Sequence, residues 1–338
     1  MEKINIGLLG AGRIGKLHGD NLTYSVPKAN LYAVADPFMN GDIRKWAENL
    51  GVEHIYDDPE KVISDPNVDA VFICSSTDTH ADLIMRSAKA GKHIFCEKPI
   101  DTSVSRINEA LKVVEQADVK LQVGFVRRFD RNHKKVHDVV ASGRLGNPNV
   151  VKVTSRDPDH PPMEYVKVSG GIFLDMTIHD FDMVRYLSGS EVTEVFAYGV
   201  ALSDADYKQF NDVDTAIVMM KFENGALGVI DNSRAAQYGY DQRTEVQCDK
   251  GCVQVSNELN DLAMISSAEG VEIAKPTWFF LERYNDAFIV EAIDFTNAII
   301  NDTEPPVTGF DGLQPVKIAL AAAKSLKEGR PVKLVESN

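Results

Sequence analysis

The chain has 338 residues, with 36 Lys and Arg against 50 Asp and Glu, for a net charge of −14. That balance lacks the clustered positive surface that phosphate backbones require, so no nucleic-acid partner is expected. A 44% hydrophobic and 25% charged composition is ordinary for a globular protein, and the length favours two domains.

The first strand signal is the β-branched run Ile4 to Leu9. It leads into Gly10-Ala11-Gly12-Arg13-Ile14-Gly15, a G-x-G-x-x-G turn that opens a helical pattern at about 14 to 24. In that context the first glycine permits the tight turn, the second lets backbone approach a pyrophosphate, and the third lets helix and strand pack closely. N–H groups at the helix start then face the negative charge, which predicts dinucleotide binding. Asn30 to Ala35 forms the next strand and ends at Asp36, 21 residues beyond Gly15. A carboxylate there can accept hydrogen bonds from a ribose hydroxyl and repels the 2′-phosphate of NADP, so NAD is the expected cofactor. Asp36 can also be a turn residue ahead of Pro37.

A helix follows at about 40 to 50, then the strand Ala70 to Cys74 and the run Ser75-Ser76-Thr77-Asp78-Thr79-His80. Small hydroxyl residues at the carboxyl end of a parallel strand can line a ligand crevice, and Asp78 or Thr79 can cap the helix at 79 to 90. The strand His93 to Cys96 runs into Glu97-Lys98-Pro99. A lysine at that place can hydrogen-bond a substrate hydroxyl and stabilise the alkoxide character that develops as hydride leaves. The Lys98-Pro99 bond is a candidate cis peptide. A helix at 103 to 117 and the strand Leu121 to Val123 complete an alternation of strands and helices. It predicts an α/β Rossmann domain, a doubly wound parallel sheet, over residues 1 to 123.

Beyond residue 124 the pattern changes to strands joined partly by short turns: Asn149 to Ser155, Val192 to Ala201, Thr215 to Phe222, Leu227 to Ser233, Arg243 to Cys248 and Val253 to Val255. Helical patterns interrupt them at about 171 to 187, 281 to 300 and 312 to 327. An α+β domain with a mostly antiparallel sheet is expected over 124 to 338. Within the first interruption, Asp175 and His179 are four residues apart and share a helix face, with Asp182 one turn further on. A histidine suits removal of a hydroxyl proton, and a carboxylate one turn away can orient it or hold substrate. His179 also reads as a core or capping residue, and Asp175, His179 and Asp182 as a metal set. Hydride transfer to NAD needs a base and no metal, so no metal is expected.

The four cysteines are too few for a disulfide framework. Cys74 and Cys96 fall in or beside apolar strands, and Cys248 and Cys252 lack a second ligand pair, so reduced structural thiols are expected. No apolar run approaches the roughly 18 to 20 residues that span a bilayer, and MEKINIGLLGAG lacks a signal-peptide layout. A cytoplasmic protein without a membrane partner is the expectation.

These residues resemble the Gfo/Idh/MocA oxidoreductases and, within them, the inositol 2-dehydrogenases. GAGRIG, CEKPI at 96 to 100, GFVRRFD at 124 to 130, SRDP at 155 to 158, SGGIFLDMTIHDFD at 169 to 182, YGYDQR at 238 to 243 and FFLERY at 279 to 284 carry the resemblance. It implies Lys98, Asp175 and His179 as catalytic residues, with His179 as general base and Lys98 hydrogen-bonding the same oxygen. NAD contacts are implied for Gly10, Gly12, Arg13, Ile14, Gly15, Asp36, Ser75, Ser76, Thr77, His80, Glu97 and Lys98. Contacts to a cyclic polyol are implied for Lys98, Arg127, Asp157, Asp175, His179 and Tyr240. Arg127 has an alternative reading as the ion-pair partner of Asp130, and His160 has no assigned role. The resemblance also implies a homo-oligomer, a dimer or tetramer, built on the open sheet of the second domain. A dehydrogenase of another cyclic sugar, or a dinucleotide-binding regulator without catalysis, are the other readings.

Overall fold

The structure, a computed structural model, describes residues 3 to 334. By packing the described residues form two compact units, 3–129 with 286–316 and 130–285 with 317–334. The sequence reading divides the chain once, after residue 123. In the structure the first unit runs on to 129 and takes back a segment from near the C-terminus.

In the first unit β1 (Ile4–Leu9), β2 (Ala29–Ala35), β3 (His54–Tyr56), β4 (Ala70–Ile73), β5 (His93–Glu97) and β6 (Leu121–Gly124) form one parallel sheet in the order β3-β2-β1-β4-β5-β6. The connecting helices are α1 (Arg13–Tyr24), α2 (Gly41–Asn49), α3 (Glu60–Ile63), α4 (Thr77–Lys89) and α5 (Val104–Ala117). This is the doubly wound order, and its direction reverses between β1 and β4, where ligand crevices form at the carboxyl ends of strands. The central strands are apolar on both faces, as helices on both sides require: Ala70, Val71, Phe72 and Ile73 are all buried. β3 carries no apolar run, since His54 and Tyr56 are only half-buried at the sheet edge, and sequence periodicity gave no sign of it.

The second unit opens with α6 (Arg131–Ala141), capped by Asp130, whose carboxylate accepts from the N–H groups of Asn132 and His133. Its sheet comprises β7 (Pro148–Arg156), β8 (Val192–Val200), β9 (Thr215–Phe222), β10 (Leu227–Ser233), β11 (Asp241–Cys248), β12 (Gly251–Val255) and, after a separate hairpin of β13 (Met264–Ser267) and β14 (Gly270–Ile273), β15 (Val332–Lys333). The order is β12-β11-β7-β10-β9-β8-β15, antiparallel except for the parallel pair β7 and β10. Along β9 the alternation is strict: Ala216, Val218, Met220 and Phe222 are buried, while Ile217, Met219 and Lys221 face outward. The buried face packs on α9 (Ile178–Ser188), which follows the short helices α7 (Met163–Val166) and α8 (Ile172–Asp175).

Helix α10 (Phe280–Arg283) precedes α11 (Asn285–Ile300), which closes the core of the first unit: Phe295 lies edge-on to Phe72 and Phe95, at 5.6 and 6.0 Å between ring centroids. Gln122 Nε2 on β6 donates to the Glu291 carbonyl at 2.9 Å. The first part of α12 (Gly309–Glu328), up to Val316, belongs to that unit and the remainder to the second, where Ile318, Ala319 and Ala322 enter the core. No helix among the described residues is long and apolar enough to cross a membrane.

Candidate active site

In the first unit the glycine turn is built as the fingerprint requires. Gly10 has φ +96°, and a Cβ there would lie 2.7 Å from the Ser75 backbone nitrogen; one on Gly15 would lie 1.9 Å from the Gly10 carbonyl oxygen. Gly12, by contrast, has open space where its Cβ would be. Two glycines are thus demanded by the protein itself, and the third leaves room for something outside it. A pyrophosphate at that place would meet the first turn of α1, whose N–H groups have no acceptor within the helix. The residues present therefore fit a dinucleotide.

Asp36 serves the turn directly. Its carboxylate accepts from the Ala11 N–H at 2.6 Å and from the Phe38 N–H at 2.7 Å. In this geometry Asp36 is a turn anchor whose carboxylate sits beside the glycine loop. At the end of β4, the Ser75 and Thr79 hydroxyls are 2.6 Å apart and Thr79 Oγ1 donates to the Ser76 carbonyl. The imidazole of His80 is buried and places its two ring nitrogens 2.8 Å from the Pro99 carbonyl and 3.0 Å from that of Ser75. It ties the loop after β4 to the loop after β5. The Lys98-Pro99 bond in that second loop is cis. Arg127 is buried in a short 3-10 turn, Val126–Phe129. Cys74 and Cys96 are buried, and burial above all, then the nearby Glu97 carboxylate, pushes both thiols well up, as suits structural rather than reactive cysteines.

In the second unit the sequence expectation of one helix over 171 to 187 is corrected. Gly170 and Gly171, at φ +84° and +83°, turn the chain into α8, and Asp212 Oδ1 caps it by accepting from the Ile172 N–H at 2.9 Å. The helix then breaks at Met176-Thr177 and restarts as α9. The break has a polar cause: the Thr177 hydroxyl donates to Asn232 Oδ1 at 2.7 Å, and Asn232 Nδ2 donates to Asp180 Oδ2 at 2.8 Å and to the Ser155 carbonyl at 3.1 Å, all within the core. Asp175 accordingly ends one helix while His179 stands in the first turn of the next, and the two do not share a continuous helix face. Asp182 is buried on α9, 3.7 Å from Arg185.

Asp175 is clamped. Tyr165 Oη donates to its Oδ1 at 2.7 Å, and Arg234 Nη2 to its Oδ2 at 2.8 Å. Arg234 and Asp157 leave the ends of the parallel neighbours β10 and β7, where the Asp157 N–H donates to the Ser233 carbonyl at 2.8 Å. Burial works against the charge of Arg234, but Asp175, first, and Asp157 hold the guanidinium above its ordinary value. Sequence reasoning missed Arg234 and Tyr165. Arg234 had one usable signal, a charged residue directly after an apolar strand; Tyr165 had none.

His160 acquires a contact here, with Nδ1 3.2 Å from the hydroxyl of Tyr207, which burial pushes up to about 12. Tyr240 is buried edge-on to Tyr284, at 6.1 Å between ring centroids. Asp130 is held by Arg283 at 2.6 and 3.2 Å. Two of the motifs behind the family resemblance thereby have structural members: FFLERY supplies that arginine, and in YGYDQR the Tyr238 hydroxyl and Arg243 both donate to Asp241.

A parallel sheet with a complete phosphate turn, and a second unit that clamps an aspartate one helix joint before a histidine, point to a dinucleotide-dependent oxidoreductase. The comparisons agree. Residues 4–125 match the model of the oxidoreductase family with an NAD-binding Rossmann fold, and residues 133–254 match the GFO/IDH/MocA C-terminal domain. The chain is 48% identical over 333 residues to a myo-inositol 2-dehydrogenase of Thermotoga maritima, covering 98% of this chain and 99% of that one. It is 37% identical to a scyllo-inositol 2-dehydrogenase (NAD(+)) of Bacillus subtilis, covering 98% and 97%. Among solved structures it is similar to scyllo-inositol dehydrogenase from Lactobacillus casei with bound NAD(H) and scyllo-inositol, with a TM-score of 0.92, 31% identity and coverage of 98% and 99%. The chain belongs to the GFO/IDH/MocA oxidoreductase family, and its cofactor is NAD.

Proposed function

We propose that the protein is a cytoplasmic, NAD-dependent inositol 2-dehydrogenase that serves inositol catabolism by oxidising myo- or scyllo-inositol to a 2-keto-inositol. The observation that carries this reading is the clamped Asp175 one helix joint before His179, in a chain whose other unit has a nucleotide cradle. When bound, NAD supplies the hydride acceptor. His179 takes the proton of the hydroxyl being oxidised, and Lys98 donates a hydrogen bond to the same oxygen as it gains alkoxide character. Asp175 is fixed by two donors, so it acts as a rigid acceptor for substrate hydroxyls rather than as a mobile base. Arg127, Asp157 and Tyr240 complete the contacts to the polyol rim. Asp36 selects NAD over NADP through the ribose. NADH formation with a panel of inositols and aldoses tests this, and turnover of glucose alone would favour the reading as an aldose dehydrogenase.

The partner in assembly is a second copy of this chain. The outward face of the second unit's sheet is apolar across four strands, with Val150, Tyr198, Ile217, Met219 and Leu227 all exposed, an area that a lone soluble chain rarely leaves uncovered. Sedimentation of the protein and of Met219→Glu checks it: the parent should run as a dimer or tetramer and the variant as a smaller species.

A further inference from the structure

The first unit also buries a group of titratable side chains next to the reacting lysine. His18 on α1 is fully buried, its ring edge-on to Phe72, Phe95 and Phe288 at 5.4, 5.0 and 5.6 Å between centroids. Its Nε2 lies 2.9 Å from Oε1 of Glu97 and 3.8 Å from Oε1 of Glu291. Glu291, on α11, is fully buried, and neither of its carboxyl oxygens has a hydrogen-bond partner. Its backbone is anchored from β6 through Gln122. On β6, Gly124 is the strand partner of Glu97, and a Cβ there would lie 3.1 Å from the Glu97 carboxyl. Three elements, α1, β6 and α11, therefore converge on the one carboxylate that immediately precedes Lys98.

Two carboxylates cannot both be ionised around one imidazole in a dry, aromatic shell. Glu97 reaches solvent, with 13% of its side chain exposed, and has the His18 hydrogen bond; Glu291 has neither. Burial, and then the charge of Glu97, push the Glu291 carboxyl well above the usual carboxylate range.

We propose that Glu291 and His18 are positioning residues: Glu291, as a neutral carboxylic acid, packs against the His18 ring, His18 donates to the Glu97 carboxylate, and the locked Glu97 fixes the backbone from which Lys98 extends. The proposal rests on the reading of Lys98 as a participant in inositol oxidation. It explains why a residue from near the C-terminus is threaded back into a nucleotide-binding unit with a carboxyl group at a place where a leucine would fill the same space.

The test compares the NAD-bound enzyme with Glu291→Ala and Glu291→Gln. At saturating NAD and inositol, Glu291→Ala should lower kcat about tenfold or more, while NADH affinity by fluorescence stays within about threefold. Glu291→Gln, which keeps both shape and neutrality, should recover most of that loss. An Ala variant within about twofold of the parent overturns the proposal, and so does a Gln variant as slow as the Ala variant. A second measurement depends on no turnover: the 13C carboxyl resonance that disappears in Glu291→Gln should hold its neutral-acid position through pH 7 in the parent. A Glu291 found ionised there also overturns the proposal, and points instead to a cation among the three donor side chains, whose ligand atoms lie within 4.8 Å of one another. If the parent oxidises no inositol, the functional reading fails, and the carboxyl titration alone decides the protonation of Glu291.

Discussion

Asp36 in the first unit and Asp175 in the second are both candidate-site carboxylates, and they are held in opposite ways. Asp36 accepts from two backbone N–H groups, one of them two residues away and the other in the glycine turn. Asp175 accepts from two side chains, 10 and 59 residues distant in sequence, one on the short helix α7 and one just past a strand end. A backbone-held carboxylate is specified by spacing, because the turn and the strand end bring their N–H groups wherever that pattern occurs. A side-chain-held one depends on the tertiary structure, and on two residues that have to be present and correctly rotated. The first kind of site should tolerate change around it, and the second should fail when either clamp is removed.

The largest effect is expected at two side chains, His179 just past the helix joint and Lys98 just past β5. His179→Ala and Lys98→Ala should each lower kcat by about 10³-fold or more with NADH affinity intact, the first through loss of the proton acceptor and the second through loss of the hydrogen bond to the developing alkoxide. Normal turnover in both would break the account of His179 and Lys98 as the reacting pair. Next comes the clamp: Arg234→Met removes the Arg234–Asp175 ion pair and should cost about 2–4 kcal/mol in kcat/KM, or roughly 30- to 1,000-fold. Tyr165→Phe removes only the hydrogen bond to Oδ1 and should cost less, about tenfold, mostly in KM. Steady-state kinetics on both variants sharpen the comparison, since equal losses would mean that charge contributes nothing beyond the hydrogen bond. The smallest effect belongs to Asp36→Ser. It should weaken NAD about tenfold and narrow the preference over NADP while leaving kcat near the parent value, measured by titration with both cofactors. An unchanged preference would remove Asp36 from ribose recognition and leave it a turn anchor.

The same contrast explains what could be read from the sequence. The glycine turn, Asp36, the strands Ile4–Leu9, Thr215–Phe222 and Leu227–Ser233 and the location of Lys98 were legible, because each is written in local periodicity or in spacing within one βα unit. The helix over 171 to 187 was legible as a helix but not as two. The break at Met176-Thr177 is imposed by Asn232, 55 residues from Thr177, whose side chain no local pattern connects to it. α6 and β3 gave no clear signal, the first because its buried positions are few and the second because it lies at an edge. The return of α11 to the first unit was also hidden, since an apolar helix does not say which core it will fill. Arg234, Tyr165 and Glu291 escaped for one reason: each acts through a partner that only the folded chain supplies.

The central claim is that this chain oxidises an inositol with NAD through His179. Its most direct test is NADH formation with myo-inositol, scyllo-inositol, chiro-inositol and glucose, run side by side for the parent and His179→Ala. The account predicts turnover of myo- or scyllo-inositol with NAD by the parent, a much weaker response to glucose, and loss of that turnover in a variant that still binds NADH. Equal turnover by parent and variant, or activity confined to glucose, would contradict it.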